Sequence, residues 1–579
     1  MSGSGLPQCV GRSIPLSRGG FPREWDGENK VAGTTVTERV LELLRDMARG
    51  SPGWFIPELV LMATIALLLC ERLLLGRRGP GAHRVAWTGT VFALGVAVWQ
   101  LAEWLSADPT GSLAKVRVPL FSGLIVWDGL TAFIRVYLLV FTLMLVTLTR
   151  LGGLPDREDA PDFFVLVLGS MIGLMVLSAA NHWLIVFLGV EMASVPGYVL
   201  VGFLKGRRTS GEAALKFMVY GAGASGVMLY GISLLMGLLG TGTLSEMGPA
   251  LGGVLGNGAV ATPITRTLIV ALALVFCGIG YKLSAVPFQF WCPDAFHGAT
   301  AEVGLALSIA SKAGAAAALM RIGLDLTDVL RSAPAAQEVG ATLGVGLAVL
   351  AATTTTFGNL SAYPQTNLKR LLAYSTIAQA GYLLMGVAAL FVIGLAPGTA
   401  EASALQSRDA ADAIEAVLFY LCVYCFMNLG AFSVVVAIRN QLFSEELPRW
   451  AGVARVAPGL AICLALCLFS LTGLPPLGGF VAKLKVLGAL YAAGKYQPVL
   501  WGVMVVGALN TVISLVYYLR VLQTIFFQPA AESADAVRRP VDRGLGRFVV
   551  FATIPVVLLG LVVDPLANVL REIARGLVQ

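Results

Sequence analysis

The segment LIVALALVFCGIGYKLSAVP, residues 268–287, is long and apolar enough to cross a membrane, yet it carries a lysine, Lys282, and ends on Pro287. Proline removes a backbone hydrogen-bond donor and clashes with the preceding turn of a helix. A break of this kind leaves backbone groups that need water, an ion or a side chain as partner at membrane depth. The segment therefore predicts a membrane helix that is interrupted beside a buried lysine.

A second apolar segment is broken in a similar way. It contains TGLPPLGG at residues 472–479, with Pro475 and Pro476 at the break and Lys483 four residues further on. Helices interrupted at matching places in two halves of a chain are typical of the transport site of a membrane transporter. A simple proline kink is the alternative for either segment alone, but a lysine beside each break favours a functional site.

The composition of the whole chain indicates a membrane protein. Of its 579 residues 57% are hydrophobic and only 13% are charged, which excludes a soluble domain of this size. Apolar stretches of about 20 residues, long enough to cross a hydrocarbon core about 30 Å thick, occur at about fourteen places. We therefore predict an all-α polytopic membrane protein with helices near residues 54–75, 85–105, 130–148, 163–179, 183–204, 213–239, 268–286, 303–322, 339–357, 371–391, 413–438, 460–487, 499–525 and 548–563.

Five ionisable residues lie inside these apolar segments or at their breaks: Glu191, Lys216, Lys282, Lys312 and Lys483. An ionisable group at membrane depth is costly unless it faces the protein interior, a partner or water, so its usual interpretation is functional. Removal from water disfavours the charged form of a lysine and makes proton exchange near neutral pH feasible. The pattern predicts a proton path.

Two pairs of these residues are related by their positions. Glu191 and Lys216 lie on consecutive predicted helices at opposite ends of a basic loop, so a hairpin brings them within reach. We expect an ion pair that opens and closes, with a static buried salt bridge as the alternative. Lys282 and Lys312 lie on either side of the break at Pro287, and Lys312 stands among small residues that permit close helix contact.

Two further residues near the breaks need an assignment. Lys483 and Lys485 point to different faces of a helix, so we expect Lys483 to face the channel and Lys485 to reach a membrane interface. His297 follows the first break in WCPDAFHGATAEVG and is a candidate proton relay between Lys282 and Lys312. A structural loop histidine is the alternative.

The remaining histidines and the cysteines favour structural roles. His83 lies in a basic loop and His182 at a predicted helix start. Cys422 and Cys425 have the CxxC spacing of a redox pair or half a metal site, but a second CxxC and a nearby histidine are missing. We interpret them as buried thiols and expect no metal, iron–sulfur or haem ligation in this chain.

Loop charge predicts the orientation, because lysine and arginine in short loops are retained in the cytoplasm. Basic residues follow the first, fifth, ninth and thirteenth predicted helices, at Arg77, Arg78, Arg84, Lys205, Arg207, Arg208, Lys369, Arg370, Arg538, Arg539, Arg543 and Arg547. We place these loops in the cytoplasm and both termini outside. They account for the net charge of +7, which gives no indication of nucleic-acid binding.

The first 53 residues differ from the rest in being polar and mixed in charge, and no signal-peptide apolar region occurs among them. With both termini outside, this extension must be translocated ahead of the first helix. We therefore expect translation to begin at Met47, which opens MARGSPGWFIPELVL.

Several stretches together resemble a known family. The two broken segments, and also NHWLIVFLGVEMASVPGYVL (181–200), EAALKFMVYGAGASGVMLYG (212–231) and NLKRLLAYSTIAQAGYLLMG (367–386), are similar to the antiporter-like membrane subunits of respiratory complex I. The resemblance covers roughly residues 54–563. FYLCVYCFMNLGAF at 419–432, Lys483 and PEL at 57–59 favour the N-type members of the family.

This resemblance implies an internal organisation and roles for the charged residues. It implies two inverted five-helix repeats with one broken helix each, and proton transfer by Glu191, Lys216, Lys282, Lys312 and Lys483. The chain then divides into a polar extension at 1–53, three helices at 54–162, a first repeat at 163–322, a second repeat at 339–527, and a cytoplasmic loop, last helix and tail at 528–579.

The resemblance also implies a function. Family members couple NADH oxidation and quinone reduction in other subunits to proton export, so this chain is expected to be a translocase subunit without a redox cofactor. NADH, FMN, iron–sulfur clusters and quinone belong to partner subunits, among which the adjacent antiporter-like subunit and the small membrane subunits are expected neighbours in the inner (plasma) membrane. The alternatives are a subunit of a sodium/proton antiporter, or of a related complex with another electron donor.

Overall fold

The structure is a computed structural model, and it describes residues 51–75, 81–106, 117–156, 159–247, 250, 263–330, 334–395, 400–529 and 542–578. Residues 1–50 of the polar extension, with the expected start at Met47, lie outside the described residues.

The described chain is almost entirely helical, as the apolar runs predict. Its helices of eight residues or more are α1 (Ile56–Cys70), α2 (Ala82–Ser106), α3 (Gly129–Gly152), α4 (Ala160–Ala179), α5 (Trp183–Val201), α6 (Arg208–Leu239), α7 (Pro263–Leu283), α8 (Trp291–Gly298), α9 (Ala301–Leu330), α10 (Pro334–Ala362), α11 (Leu368–Leu395), α12 (Ala400–Leu442), α13 (Pro458–Thr472), α14 (Gly478–Gly494), α15 (Val499–Phe527), α16 (Arg543–Leu561) and α17 (Asp564–Val578).

The prediction of an all-α polytopic membrane protein is confirmed. By length and composition, twelve described helices can cross a membrane, or thirteen if the bent pair Leu447–Val456 and Pro458–Thr472 forms one span. The first predicted segment is also helical, but α1 has only 15 residues and is followed by a short π-helix at Glu71–Leu75. The twelfth predicted segment forms two helices, α13 and α14, because its prolines interrupt the backbone ladder.

Several elements are not predicted from the sequence, among them a short β-hairpin and the C-terminal helix. Strand β1 (Val118–Leu120) pairs antiparallel with strand β2 (Ile125–Trp127) just before α3. The C-terminal tail forms α17, which buries Leu570 and Ile573 against the bundle. Three-residue strands are too short to show a period, and α17 mixes apolar and charged residues instead of forming a membrane-length apolar run.

Close helix contacts at glycines bring α4 and α5 together. A side chain at Gly173 of α4 would place its Cβ 2.6 Å from the backbone nitrogen of Ala193. A side chain at Gly189 of α5 would place its Cβ 2.8 Å from the Cα of Leu177. Small residues allow such close approach, which is how membrane helices gain packing energy without a hydrophobic driving force between them.

A buried ion pair joins the start of α3 to α9. Asp128 caps the N-terminus of α3 by accepting from the backbone N–H of Thr131 at 2.9 Å. The guanidinium of Arg321 donates to both of its carboxylate oxygens, at 2.7 and 2.9 Å, and to the carbonyl of Ser178 at 3.0 Å. Because each charge has a partner, this pair can remain buried.

Helices α9 and α11 form the centre of the bundle. The membrane-length spans of both helices are buried throughout, and most of the span of α12 is buried as well. In contrast, α2 and α15 expose most of their span on the outside of the bundle. Polar side chains on α9, α11 and α12 therefore face protein, and the functional site is built on them.

Candidate proton-transfer site

The first helix break lies between α7 and α8, where the sequence predicts it. Lys282 is in the last turn of α7, is 5% exposed, and donates from Nζ to the hydroxyl of Ser194 on α5 at 3.0 Å. The hydroxyl of Ser311 donates to the Lys282 carbonyl at 2.7 Å, and the backbone N–H of Val286 donates to Thr354 at 3.0 Å. Side chains of α9 and α10 thus satisfy the backbone groups that the break exposes.

The second break, between α13 and α14, holds Lys483. Its Nζ donates to the Thr472 carbonyl at 2.9 Å, one of the carbonyls that the end of α13 leaves without a helical partner. The same ammonium lies 4.4 Å from the centre of the Tyr382 ring, where the face of the ring attracts a cation. Gly473 has a φ of 91°, a backbone conformation that favours glycine. A Cβ at this position would also lie only 2.9 Å from the Cδ atom of Lys483.

Lys312 is the most enclosed of the lysines. Its side chain is fully buried in the middle of α9, and among the described residues its Nζ has no hydrogen-bond partner. Nearby Cys292 lies within electrostatic range. A lone buried ammonium costs several kcal/mol, so the site favours a lysine that gains and loses a proton over one that stays charged.

A row of polar aromatic side chains lies between the helix that carries Lys312 and the second break. Ser308, one turn before Lys312, shares hydrogen bonds with Thr376 at 3.0 Å and Tyr424 at 2.7 Å. The rings of Tyr424, Tyr420 and Tyr382, which we call the tyrosine row, follow each other with centroids 6.5 and 6.2 Å apart. Because Lys483 lies over the last of these rings, the row leads from Lys312 to Lys483.

Further polar groups accompany the tyrosine row. The Tyr420 hydroxyl bonds to Gln379, whose side-chain amide donates to the carbonyl of Leu471 at 3.1 Å. The Tyr382 hydroxyl bonds to Thr511 at 3.0 Å. None of these groups is predicted from the sequence, because single Tyr, Thr and Gln residues in an apolar run are indistinguishable from ordinary core residues.

The expected ion pair between Glu191 and Lys216 is absent from this structure, in which both residues are described. Lys216 is about half-exposed on α6, and its Nζ lies 2.9 Å from Glu212 and 3.0 Å from Asp294 at the start of α8. One carboxylate oxygen of Glu191 is buried without a hydrogen-bond partner among the described residues, and Glu191 lies about one turn before Ser194, which contacts Lys282. The hairpin prediction failed because the break in the seventh helix supplies Lys216 with a closer carboxylate.

His297 is half-buried on α8. Its role as a relay between Lys282 and Lys312 stays a prediction. The assignment of Lys485 needs correction. Lys485 does not reach for the membrane interface. It pairs at 2.6 Å with Glu415 of α12, which Arg571 of α17 contacts at 3.0 Å.

His182 is the N-terminal cap of α5, accepting from the N–H of Leu184 at 3.2 Å, as its position predicts. Within the described parts of the chain, no three His, Cys, Asp or Glu residues are grouped as metal ligands. Cys422 and Cys425 are free thiols on α12.

Comparison with known proteins identifies the family. Residues 180–397 and 402–510 match the family described as NADH:quinone oxidoreductase/Mrp antiporter, TM. NADH-quinone oxidoreductase subunit N of Anaeromyxobacter sp. (strain Fw109-5) is 36% identical over 86% of this chain and 92% of its own length. Subunit N 2 of Sorangium cellulosum (strain So ce56) is 36% identical over 89% of this chain and 96% of its own.

Solved structures share the fold. A chain of respiratory complex I from Thermus thermophilus is 27% identical, with a TM-score of 0.65, covering 88% of this chain and 98% of its own length. A chain of the Mrp complex from Dietzia sp. DQ12-45-1b, at 20% identity, has a TM-score of 0.69 over 94% of this chain and 98% of its own, and shows similarity of fold alone. This chain therefore belongs to the NADH:quinone oxidoreductase/Mrp antiporter family of transmembrane proteins, with subunit N of NADH-quinone oxidoreductase among its relatives.

Proposed function

We propose that this chain is the N-type proton-translocating membrane subunit of a bacterial NADH-quinone oxidoreductase, and couples NADH oxidation and quinone reduction in other subunits to proton export. The observation that carries the proposal is the series of three buried lysines on α7, α9 and α14. Lys282 and Lys483 lie at the two helix breaks, and Lys312 lies between them without a hydrogen-bond partner among the described residues.

Protons pass from the cytoplasmic side near Lys282 to Lys312, follow the tyrosine row, and leave outward through Lys483. Each lysine accepts a proton when a partner compensates its charge and releases it when that compensation is withdrawn. Two buried cations repel each other in a medium of low dielectric. Protonation of one lysine therefore favours release of the proton from the next lysine. Tyrosine and serine hydroxyls both donate and accept, as a relay requires.

Glu191 and Lys216 receive the coupling signal. Glu191 lies about one turn before Ser194, whose hydroxyl contacts Lys282, so a movement of α5 at Glu191 changes the surroundings of the first lysine in the path. Lys216 acts at the edge of the first break through its ion pair with Asp294. A change in this pair reaches Lys282 through α8 and the break.

The redox reaction takes place outside this chain, and partner subunits hold NADH, FMN, iron–sulfur clusters and quinone. The neighbours of this chain are an adjacent antiporter-like subunit and the small membrane subunits. It lies in the bacterial inner membrane with both termini outside, and its two breaks belong to two inverted repeats, 163–322 and 339–527. Support comes from the matched family, the basic loops and the paired breaks.

The test is NADH-driven, inhibitor-sensitive proton uptake in inverted membrane vesicles, comparing the parent strain with Lys312→Ala. Loss of NADH oxidation and of the proton gradient, with the complex still assembled, is the expected result. Lys495→Ala is the matched control, because Lys495 is about half-exposed and its nearest carboxylate is 3.8 Å away.

A second candidate function is sodium/proton exchange, since the matched family also includes Mrp antiporters. Unchanged NADH-driven proton uptake together with lost sodium/proton exchange in Lys312→Ala would favour that function and contradict the first.

A further inference from the structure

A pocket opens at the end of the bundle that the basic loops place in the cytoplasm. It has a volume of about 160 Å³ and lies between the loop after α3, the loop after α5 and the start of α9. Asp156, Asp159 and Lys205 lie near its mouth, with Lys205 and Asp159 3.2 Å apart and partly exposed. Glu302 lines the pocket from its inner side and is itself only 1% exposed. The pocket therefore brings a water-accessible volume to a buried carboxylate.

Glu302 is held by a cation from another helix. Its two carboxylate oxygens accept from the guanidinium of Arg439 on α12, at 3.1 and 3.2 Å. Lys369 also acts on Glu302 electrostatically, and its ammonium is occupied by Glu445 at 3.2 Å and the Ala299 carbonyl at 2.7 Å. The proton path described above uses none of these charges.

Contacts between α9 and α12 connect this ion pair to the tyrosine row. The two helices run antiparallel, and Glu302 meets Arg439 while Ser308 meets Tyr424. Between these polar contacts, a Cβ at Gly304 would lie 3.4 Å from Phe432 and 3.5 Å from Phe296, whose rings are 6.1 Å apart. From Glu302 to Ser308, the contacts between the two helices are therefore first charged, then aromatic and then polar.

The distance across the aromatic layer is short. Six residues separate Glu302 from Ser308, which corresponds to about 9 Å along a helix. Two or three waters span such a distance when the aromatic rings move apart. In this structure the rings of Phe296 and Phe432 lie between the two polar contacts, with their centroids 6.1 Å apart.

We infer that Glu302 is the proton-loading residue of a second inlet, which leads from this pocket to Ser308 and reaches Lys312 alongside the entry near Lys282. A hydronium ion in the pocket gives its proton to the Glu302 carboxylate, leaving water and a neutral carboxylic acid. Once water crosses the layer of Phe296 and Phe432, the acid O–H bond breaks and the proton passes to that water and on to Ser308. Arg439 keeps its charge throughout and restores the ion pair afterwards. This inference rests on the proposed function.

The test uses the assembled enzyme in inverted vesicles with NADH as electron donor. Glu302→Gln keeps the shape of the side chain but cannot carry a proton, and it should lower NADH-driven proton uptake to about half the parent rate or less, because one of the two routes to Lys312 is closed. Glu302→Asp should restore most of the rate. The matched control is Glu246→Gln, which alters an exposed carboxylate bonded only to Thr241 and should pump like the parent.

A double variant separates proton transfer from structure. Glu302→Gln leaves Arg439 buried without its anion, which alone could impair the subunit. Glu302→Gln with Arg439→Gln removes that charge, so a purely structural defect should be repaired, whereas a proton-loading defect should persist. Normal pumping by Glu302→Gln, or recovery in the double variant, would overturn the inference. Failure of the parent enzyme to pump with NADH would instead overturn the proposed function.

Discussion

Replacing Lys312 by methionine should preserve or raise the stability of the subunit while stopping proton transfer. The lysine side chain is fully buried, and its Nζ has no hydrogen-bond partner among the described residues. Burying an ammonium costs several kcal/mol even after the surroundings relax. Methionine has a similar length and adapts to an apolar site. We therefore expect the variant to be as stable as the parent or more stable by up to about 4 kcal/mol, since replacing even a buried ion pair by well-packed apolar residues is neutral or stabilising by about 1–4 kcal/mol.

Arg321→Met is the matched comparison, because Arg321 is a buried cation on the same helix but has a carboxylate partner, Asp128. Removing one member of a buried pair leaves the other charge uncompensated and costs about 3–5 kcal/mol. The assay is the temperature at which the subunit is released from the assembled membrane complex. Lys312→Met should raise this temperature or leave it unchanged, and Arg321→Met should lower it.

Proton uptake is measured on the same membranes. Lys312→Met should lose NADH-driven uptake although it is stable. Destabilisation as large as that of Arg321→Met would show that Lys312 is a structural residue, and normal uptake would show that no proton passes through it.

Three further predictions concern other parts of the molecule. Burial acts to raise the pKa of Asp128, but the charge and hydrogen bonds of Arg321 outweigh it and lower the pKa to about 2. The stability from this carboxylate is thus present above about pH 4 and is lost only as the pH falls through about 2. Asp128→Asn should lower the release temperature equally at about pH 6 and about pH 8. Tyr424→Phe removes the hydroxyl that bonds to Ser308 and should slow proton uptake about tenfold or more with assembly intact; an unchanged rate would exclude Tyr424 from the path. Gly189→Val places a branched side chain against the backbone of Leu177 and should prevent assembly, as shown by the loss of the subunit from purified complexes, whereas Gly169→Val, which has open space around it, should assemble.

The sequence was sufficient to locate the helix breaks and the buried lysines, because proline and lysine are rare in apolar membrane segments and each has a strong physical consequence. Lys282, Lys312 and Lys483 are all buried in the structure. The partners of these residues were harder to predict. Lys216 pairs with Asp294, which is 78 residues away in sequence, and hydropathy does not encode which helices pack together.

The tyrosine row and Glu302 show a second limit of sequence reasoning. Tyr382, Tyr420 and Tyr424 look like core aromatics until their stacking and hydroxyl contacts are known. Glu302 lies at the start of α9, where an acidic residue is ordinary because it favours the helix dipole. Its significance depends on the pocket and on Arg439, both of which are formed by distant parts of the chain.

The central claim is that protons cross the membrane through the buried lysines of this chain. Its most direct test is the number of protons translocated per NADH oxidised by the assembled complex in closed vesicles, for the parent and for Lys282→Ala. We predict that NADH-driven translocation is largely lost in the variant while the complex remains assembled. The path would be contradicted if the assembled Lys282→Ala complex translocated protons at the parent rate and with the parent number of protons per NADH oxidised.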